Sequence, residues 1–307
     1  MHSYARQMGF MDMTFDEMKA RVADGQGFVA ALDQSGGSTP KALRGYGVEE
    51  DAWNGDDEMF ALIHQMRSRI VESDCFGNGK VIGAILFEKT MDGESGGKPV
   101  PTRLAERGIV PFLKVDKGLE DEANGVQLMK PMPDLEALCA RAKAKGVFGT
   151  KMRSVIKSNN AEGIKAIVQQ QFVEAKRILA AGLMPMLEPE YDITADDRAA
   201  GEAVLLVAIQ EGLDTLADGQ QVMLKLSIPV EAGLYAQLAS DPRVLRVVAL
   251  SGGFSTDEAC EKLSQNPGMI ASFSRGLLQD LRHHQDDAEF DKTLGAAIDK
   301  IQAASIT

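Results

Sequence analysis

The sequence predicts an α/β protein built as a (β/α)8 TIM barrel. Short apolar runs alternate with amphipathic stretches along the whole chain. The runs are near-continuously apolar, as parallel strands covered on both faces are. There are about eight of them, spread over a length that suits about eight β-then-α units. No composition shift, linker or low-complexity segment divides the chain, so residues 1–307 are expected to form a single barrel domain.

The elements follow in order. "TFDEMKARVADG" opens with a Thr14/Glu17 capping box and closes near Gly25. "GFVAALDQS" is the first strand candidate. From Asp56 to Asp74, Met59, Phe60, Ile63, Met66 and Ile70 share one helical face. "KVIGAILFEKT" and "IVPFLKVDKG" supply the next two strands. "DLEALCARAKAKG" and "AEGIKAIVQQQFVEAKRILAAG" read as helices that stop at Gly146 and Gly182, on either side of the strand "GVFGTKMRSVI". "LMPMLEPE", "QVMLKLSIP", "VLRVVALSGG" and "MIASFSRG" complete the set. An open doubly wound sheet is the structural alternative, weakened because the first βα turn lacks G-x-G-x-x-G.

Composition narrows the function classes. Apolar residues make up 44% and charged residues 25% of the chain, enough for a sizeable core. A formal charge of -12 argues against nucleic-acid partners and anionic membrane surfaces, which need a basic face. No run approaches the roughly 18 apolar residues of a membrane span. "MHSYARQMGFMDM" lacks the basic-then-apolar order of a signal peptide. Cys75, Cys139 and Cys260 are odd in number, far apart and without C-x-x-C spacing, which suits a reducing cytoplasm and simple packing roles.

Charge placement carries the functional signal. Nearly every apolar run ends in a polar or charged group: Asp33, Glu88, Lys114 with Asp116, Lys151 with Arg153, Glu188 with Glu190, Lys225, Ser251 and Arg275. Any one of these could be a solvated strand end. In a barrel, however, these ends converge on the catalytic rim. The i, i+2 spacing of Lys114/Asp116, Lys151/Arg153 and Glu188/Glu190 puts each pair on one side of its strand.

Two loops suit phosphate. "LSGGFST" follows the seventh run, and "FSRGLL" follows the eighth and opens into the helix "GLLQDLR", with Arg275 as a bidentate cation. "DQSGGS" places the Ser35 and Ser38 hydroxyls beside two glycines, with Lys114 as the nearby cation. Glycines alone only mark turns. Two such loops with cations suggest a substrate phosphorylated at both ends.

Lys225 interrupts the apolar run "QQVMLKLSIP". Alternation groups Met223, Lys225 and Ser227 on one face and Val222, Leu224 and Leu226 on the other. A lysine with its stem packed and its head in water would fit the same pattern. An inward lysine near the top of a packed barrel is instead desolvated, and neighbouring cations such as Lys151 are expected to drive it toward the neutral amine. That amine attacks carbonyls, and the resulting Schiff base is an electron sink for carbon–carbon cleavage.

Taken in order, "ALDQSGGST", "FLKVDKGLE", "TKMRSVIK", "LEPE", "LKLSIP", "LSGGFSTDEA" and "SFSRGLLQDLR" resemble class I, Schiff-base-forming fructose-bisphosphate aldolases from about Ala31 to Arg282, in the shorter bacterial style. The resemblance implies that Lys225 is the Schiff-base lysine and Glu188 the general acid/base. It implies that Asp33 handles the C4 hydroxyl proton and that Lys151 maintains charge balance, with Glu190 and Arg153 in support. It implies that Ser251, Gly252, Gly253 and Arg275 hold the C1 phosphate, and Ser35, Ser38 and Lys114 the far end. The implied substrate is a phosphorylated ketose carrying two phosphates, with no cofactor and no metal. A homo-oligomer stays open.

The chain also departs from that pattern. Gln34 replaces an acid found in many relatives, Met152 a tryptophan of animal members, and Ser274 a frequent glycine. "LKLSIP" replaces a proline-asparagine-methionine run. "IQAASIT" lacks the tyrosine tail of animal enzymes, so another group or water is expected to take its part. Competing readings are a transaldolase-like or deoxyribose-phosphate-type Schiff-base lyase, which lacks the second phosphate loop, and a non-catalytic phosphosugar- or protein-binding scaffold. A metal-dependent aldolase is disfavoured because His2, His64, His283 and His284 lack zinc spacing.

Overall fold

A computed structural model describes residues 13–307. His2 and nearly all of the N-terminal stretch read for a signal peptide lie outside the described residues. Eight parallel strands lie side by side in chain order: β1 (Phe28–Leu32), β2 (Val81–Leu86), β3 (Val110–Lys114), β4 (Gly149–Ile156), β5 (Met184–Tyr191), β6 (Val222–Ser227), β7 (Val244–Leu250) and β8 (Met269–Ala271). Each of the expected runs became a strand. The first and last meet where Ala31 N donates to Phe273 O at 3.2 Å, giving the (β/α)8 TIM barrel. A small hairpin (Glu94–Ser95 with Lys98–Pro99) and a two-residue antiparallel strand on β4 (Val126–Gln127) decorate it.

The barrel has a closed end and an open end. Helix α1 (Phe15–Asp24), started by the Thr14/Glu17 capping box, crosses the N-terminal mouth. It adds Met18 and Val22 to an interior cluster with Val29, Ile82, Phe112, Phe148, Met184, Met223, Val248 and Ile270. The opposite faces of the strands, including Val222, Leu224 and Leu226, join the larger core under the outer helices. Alternation in β6 therefore falls as expected, and Lys225 stands one step above Met223 inside the barrel. Apolar layers fill most of the lower barrel, with Arg246 reaching Ala23 O at the N-terminal mouth.

Helix α2 (Gly55–Glu72) buries Met59, Ile63, Met66 and Ile70, with Phe60 partly exposed at the edge of the stripe. The helices Leu135–Ala144 and Ala161–Ala180 stop where Gly146 (φ +80°) and Gly182 (φ +77°) turn left-handed. One expectation fails: after β8 the helix runs only from Arg275 to Leu278, because Gln279–Gln285 folds into turns before the long helix Asp287–Ser305. Among the described residues, no helix is long and apolar enough to cross a membrane.

Candidate active site

Strand register brings the rim together. Lys114 on β3 pairs with Lys151 on β4, Lys151 with Met186, and Arg153 with Glu188 on β5. Met186 pairs with Met223, which puts Glu188 beside Lys225 two residues further up both strands. Asp33 follows β1 on the interior side.

Four of these residues form a buried chain of alternating charge. Lys225 Nζ lies 3.1 Å from Glu188 Oε1, Lys151 Nζ 2.9 Å from Glu188 Oε2, and Lys151 Nζ 2.6 Å from Asp33 Oδ2. Their exposures run from 3% for Lys151 to 8% for Asp33, so the pairs act with little screening. The contact with Glu188 Oε2 is a charge contact without hydrogen-bond alignment, which leaves that oxygen free to bond elsewhere.

Burial and charge compete at each group. Burial opposes the Asp33 carboxylate, but Lys151, Lys225 and Lys114 pull its carboxyl well below the usual range. Burial likewise opposes Glu188, and Lys151 and Lys225 win there too, holding its carboxyl low. For Lys151, burial favours the neutral amine but is outweighed by Asp33, Glu188 and Asp116, which raise it well above the ordinary lysine value.

The ion pairing adds Glu188 to the surroundings of Lys225. Its ion-pair partner is the Glu188 carboxylate, which Lys151 contacts as well.

Around this chain, Arg153 Nε pairs with Glu190, and Arg153 N donates to Asp116 Oδ2 at 3.2 Å. Lys114 Nζ is held by Asp116, 2.5 Å from Oδ1 and 2.9 Å from its backbone oxygen. Glu88 is not among them: it opens the short helix Glu88–Asp92 and pairs outward with Lys117 and Arg141.

The glycine loops also converge on the rim. Gly252 (φ +62°) and Gly253 (φ +142°) make the turn after β7, with Gly253 N and Phe254 N bonded back to Ser251 O. A Cβ on Gly252 would sit 2.4 Å from Ile193 Cγ2, and one on Gly253 would sit 3.5 Å from Arg275 Nη2. The exposed Arg275 thus lies over the loop. After β1, Ser35 and Ser38 close a single turn on each other, with Ser35 N donating to Ser38 Oγ at 3.0 Å. Among the described residues, no group of three or more His, Cys, Asp or Glu side chains could hold a metal ion.

The sequence profile of the family described as fructose-bisphosphate aldolase class-I, a glycolytic family, matches residues 15–203. That is more than half of the chain. The protein belongs to the class-I fructose-bisphosphate aldolase family. It is accordingly a lyase of the aldolase type, in a family whose substrates are phosphorylated sugars. Among solved structures, fructose-bisphosphate aldolase from Plasmodium falciparum, in complex with TRAP and an inhibitor, superposes with a TM-score of 0.78 at 19% identity, covering 95% of this chain and 94% of that one. Cgl0159 from Corynebacterium glutamicum superposes at 0.52 with 15% identity, over 94% and 92% of the two chains. At these identities the likeness is one of fold.

The family match contains Asp33, Lys114, Lys151 and Glu188 but stops before β6. Lys225 joins the cluster through its contact with Glu188, while the Ser251–Gly253 turn and Arg275 stand at the C-terminal ends of β7 and β8. Two residues of the aldolase rim escaped sequence reasoning as site members. Asp116 is buried and bridges Lys114 to Arg153, and its i, i+2 spacing from Lys114 was the available signal. Arg67 of α2 is 1% exposed and reaches Gln34 at the end of β1. Its signal was a charge four residues after Ile63 and three before Ile70, inside the apolar stripe.

Proposed function

We propose that this aldolase reversibly cleaves fructose 1,6-bisphosphate to dihydroxyacetone phosphate and glyceraldehyde 3-phosphate through a Schiff base on Lys225. The observation that carries the reading is the contact between Lys225 Nζ and Glu188 Oε1 at 3.1 Å, inside a desolvated site with a second carboxylate held ionised.

The steps follow from the charges. Lys225 gives a proton to Glu188 Oε1, and the amine attacks the C2 carbonyl of the open-chain ketose. Glu188, now protonated, returns that proton to the carbinolamine hydroxyl, which leaves as water and creates the iminium. The Asp33 carboxylate removes the C4 hydroxyl proton. As the C4 carbonyl forms, the C3–C4 electron pair passes into the iminium and glyceraldehyde 3-phosphate departs. The enamine is then protonated at C3 and hydrolysed, releasing dihydroxyacetone phosphate and free Lys225. Lys151 stays cationic throughout and stabilises Asp33 and Glu188 as bases. Glu190 and Arg153 brace the cluster.

Ser251, Gly252, Gly253 and Arg275 receive the C1 phosphate. Ser35, Ser38 and Lys114 receive the C6 phosphate, with Lys114 shared between it and Asp116. The reading puts the protein in glycolysis and gluconeogenesis, as one cytoplasmic barrel domain that needs no cofactor. Borohydride reduction in the presence of dihydroxyacetone phosphate, followed by peptide mass analysis, tests it. A covalent adduct on Lys225 is expected, and an adduct elsewhere, or none, refutes it.

A further inference from the structure

Among the described residues, the hydrogen-bond acceptors of the buried Arg67 guanidinium are all neutral. Nη1 donates to Thr90 Oγ1 at 2.7 Å, and Nη2 donates to Gln34 O and, at 3.1 Å, to Gln34 Oε1. Burial pushes its pKa down to about 10, with the Asp33 charge opposing. Arginine can only donate, so the oxygen of the Gln34 amide must face Arg67 and the nitrogen must face away. That nitrogen donates to Ser274 Oγ at 2.6 Å, joining residues 240 apart in sequence. A hydroxyl that accepts from an amide keeps its own hydrogen for another acceptor. Ser274 directly precedes Arg275, whose guanidinium lies over the Gly253 turn.

We infer that Ser274 is a phosphate-binding residue, its hydroxyl set as a donor by Arg67 acting through Gln34. The inference rests on the reading that Arg275 and the Ser251–Gly253 turn hold a substrate phosphate. Arg67 and Gln34 are positioning residues: neither needs to touch the ligand. A carboxylate at position 34 would accept from both neighbours, turn the Ser274 hydrogen onto itself and add negative charge beside the phosphate. It would also give Arg67 an anionic hydrogen-bond partner.

The test measures the Kd of inorganic phosphate by calorimetry, in a Lys114→Met background that weakens the other cationic loop. Because no turnover is needed, it stands apart from the borohydride experiment: a missing Lys225 adduct refutes the cleavage reading and leaves this measurement intact. Ser274→Gly and Gln34→Glu are each expected to weaken phosphate binding about tenfold, the scale of one hydrogen bond to a charged group. The double variant should lose no more than the weaker single. Gln34→Glu should also raise the thermal midpoint as binding falls, a combination that a merely structural role does not produce. Arg67→Lys should weaken binding when Ser274 is present and not in Ser274→Gly; should it fail to fold, Gln34→Glu reads the same link. A Ser274→Gly value within twofold of the parent, a double variant whose loss is the product of the singles, or an Arg67→Lys effect that ignores Ser274 overturns the inference.

Discussion

Lys225 Nζ lies 3.1 Å from Glu188 Oε1, and the other oxygen of that carboxylate faces Lys151. One carboxylate therefore faces two ammonium groups, the second of which also pairs with Asp33. In the proposed mechanism the first passes its proton to this carboxylate. Removing the acceptor should slow every step that moves a proton at the lysine. Glu188→Gln is expected to lower kcat by about 10²–10⁴. In a stopped-flow trapping assay, Lys225 adduct formation should slow in parallel. An unchanged trapping rate would assign the proton transfer elsewhere.

Lys225→Met should retain the barrel, because Met223 below it already packs in the same interior file. It should lose at least about a thousandfold in kcat, since the amine proposed to form the Schiff base is gone. Circular dichroism checks the fold, and the borohydride adduct should vanish. An adduct that migrates to Lys151 with activity preserved would show that the two lysines can exchange roles.

The acid side of the stability profile belongs to Asp33. Its folded carboxyl is held below the unfolded value of about 3.9. The resulting stability is present in full above that value and is lost as pH falls toward the folded one. Lys151 behaves in the opposite sense, since its folded value is raised. Its contribution is present below about pH 10.4 and fades as pH rises beyond that. Urea unfolding should therefore show a stability gap between the parent and Asp33→Asn that is flat above about pH 5 and narrows below about pH 4. A gap that stays constant to pH 3 would mean that Asp33 is not held ionised.

The two phosphate ends should separate kinetically. Lys114→Met should raise KM for fructose 1,6-bisphosphate by about tenfold to a hundredfold, the worth of one charge-assisted contact, and leave fructose 1-phosphate untouched. Arg275→Ala should impair both substrates. Equal effects of Lys114→Met on the two substrates would remove Lys114 from the C6 end, and its tie to Asp116 would then be its whole role.

Much of this layout is legible in the sequence. Parallel strands covered on both faces write themselves as apolar runs, and a period of two told Met223, Lys225 and Ser227 from Val222, Leu224 and Leu226. Charge pairing was less legible, because it depends on register between strands. Lys225 and Lys151 read as neighbours, yet what they share is a contact with Glu188. Arg67 shows the same limit from a helix: its interruption of an apolar stripe was visible, but its target across the β1 end was not. The short Arg275–Leu278 helix failed for a local reason, since its amphipathic sequence ends in turns tied down by Gln285, whose Nε2 bonds to Asp280 O and whose Oε1 receives Arg282 N.

The segment after β6 provides a last prediction, because a second buried ion pair holds it. Arg198 Nε meets Glu202 Oε1 at 2.6 Å, with side-chain exposures of 6% and 0%. Each partner also serves backbone: Arg198 donates to Ile228 O, and Val230 N donates to Glu202 Oε2 at 2.8 Å. Glu202→Gln can still accept from Val230 but leaves the guanidinium buried without its carboxylate, a loss of about 3–5 kcal/mol. Replacing both residues by apolar ones often restores such a loss. Here Arg198→Met with Glu202→Leu should not restore it, because the buried Ile228 O would lose its donor at about 1–3 kcal/mol and the part-buried Val230 N would lose its acceptor as well. Urea denaturation should place both variants well below the parent. Recovery in the double variant would mean that solvent can reach Ile228 O and Val230 N, so that the segment following the Lys225 strand does not depend on the pair.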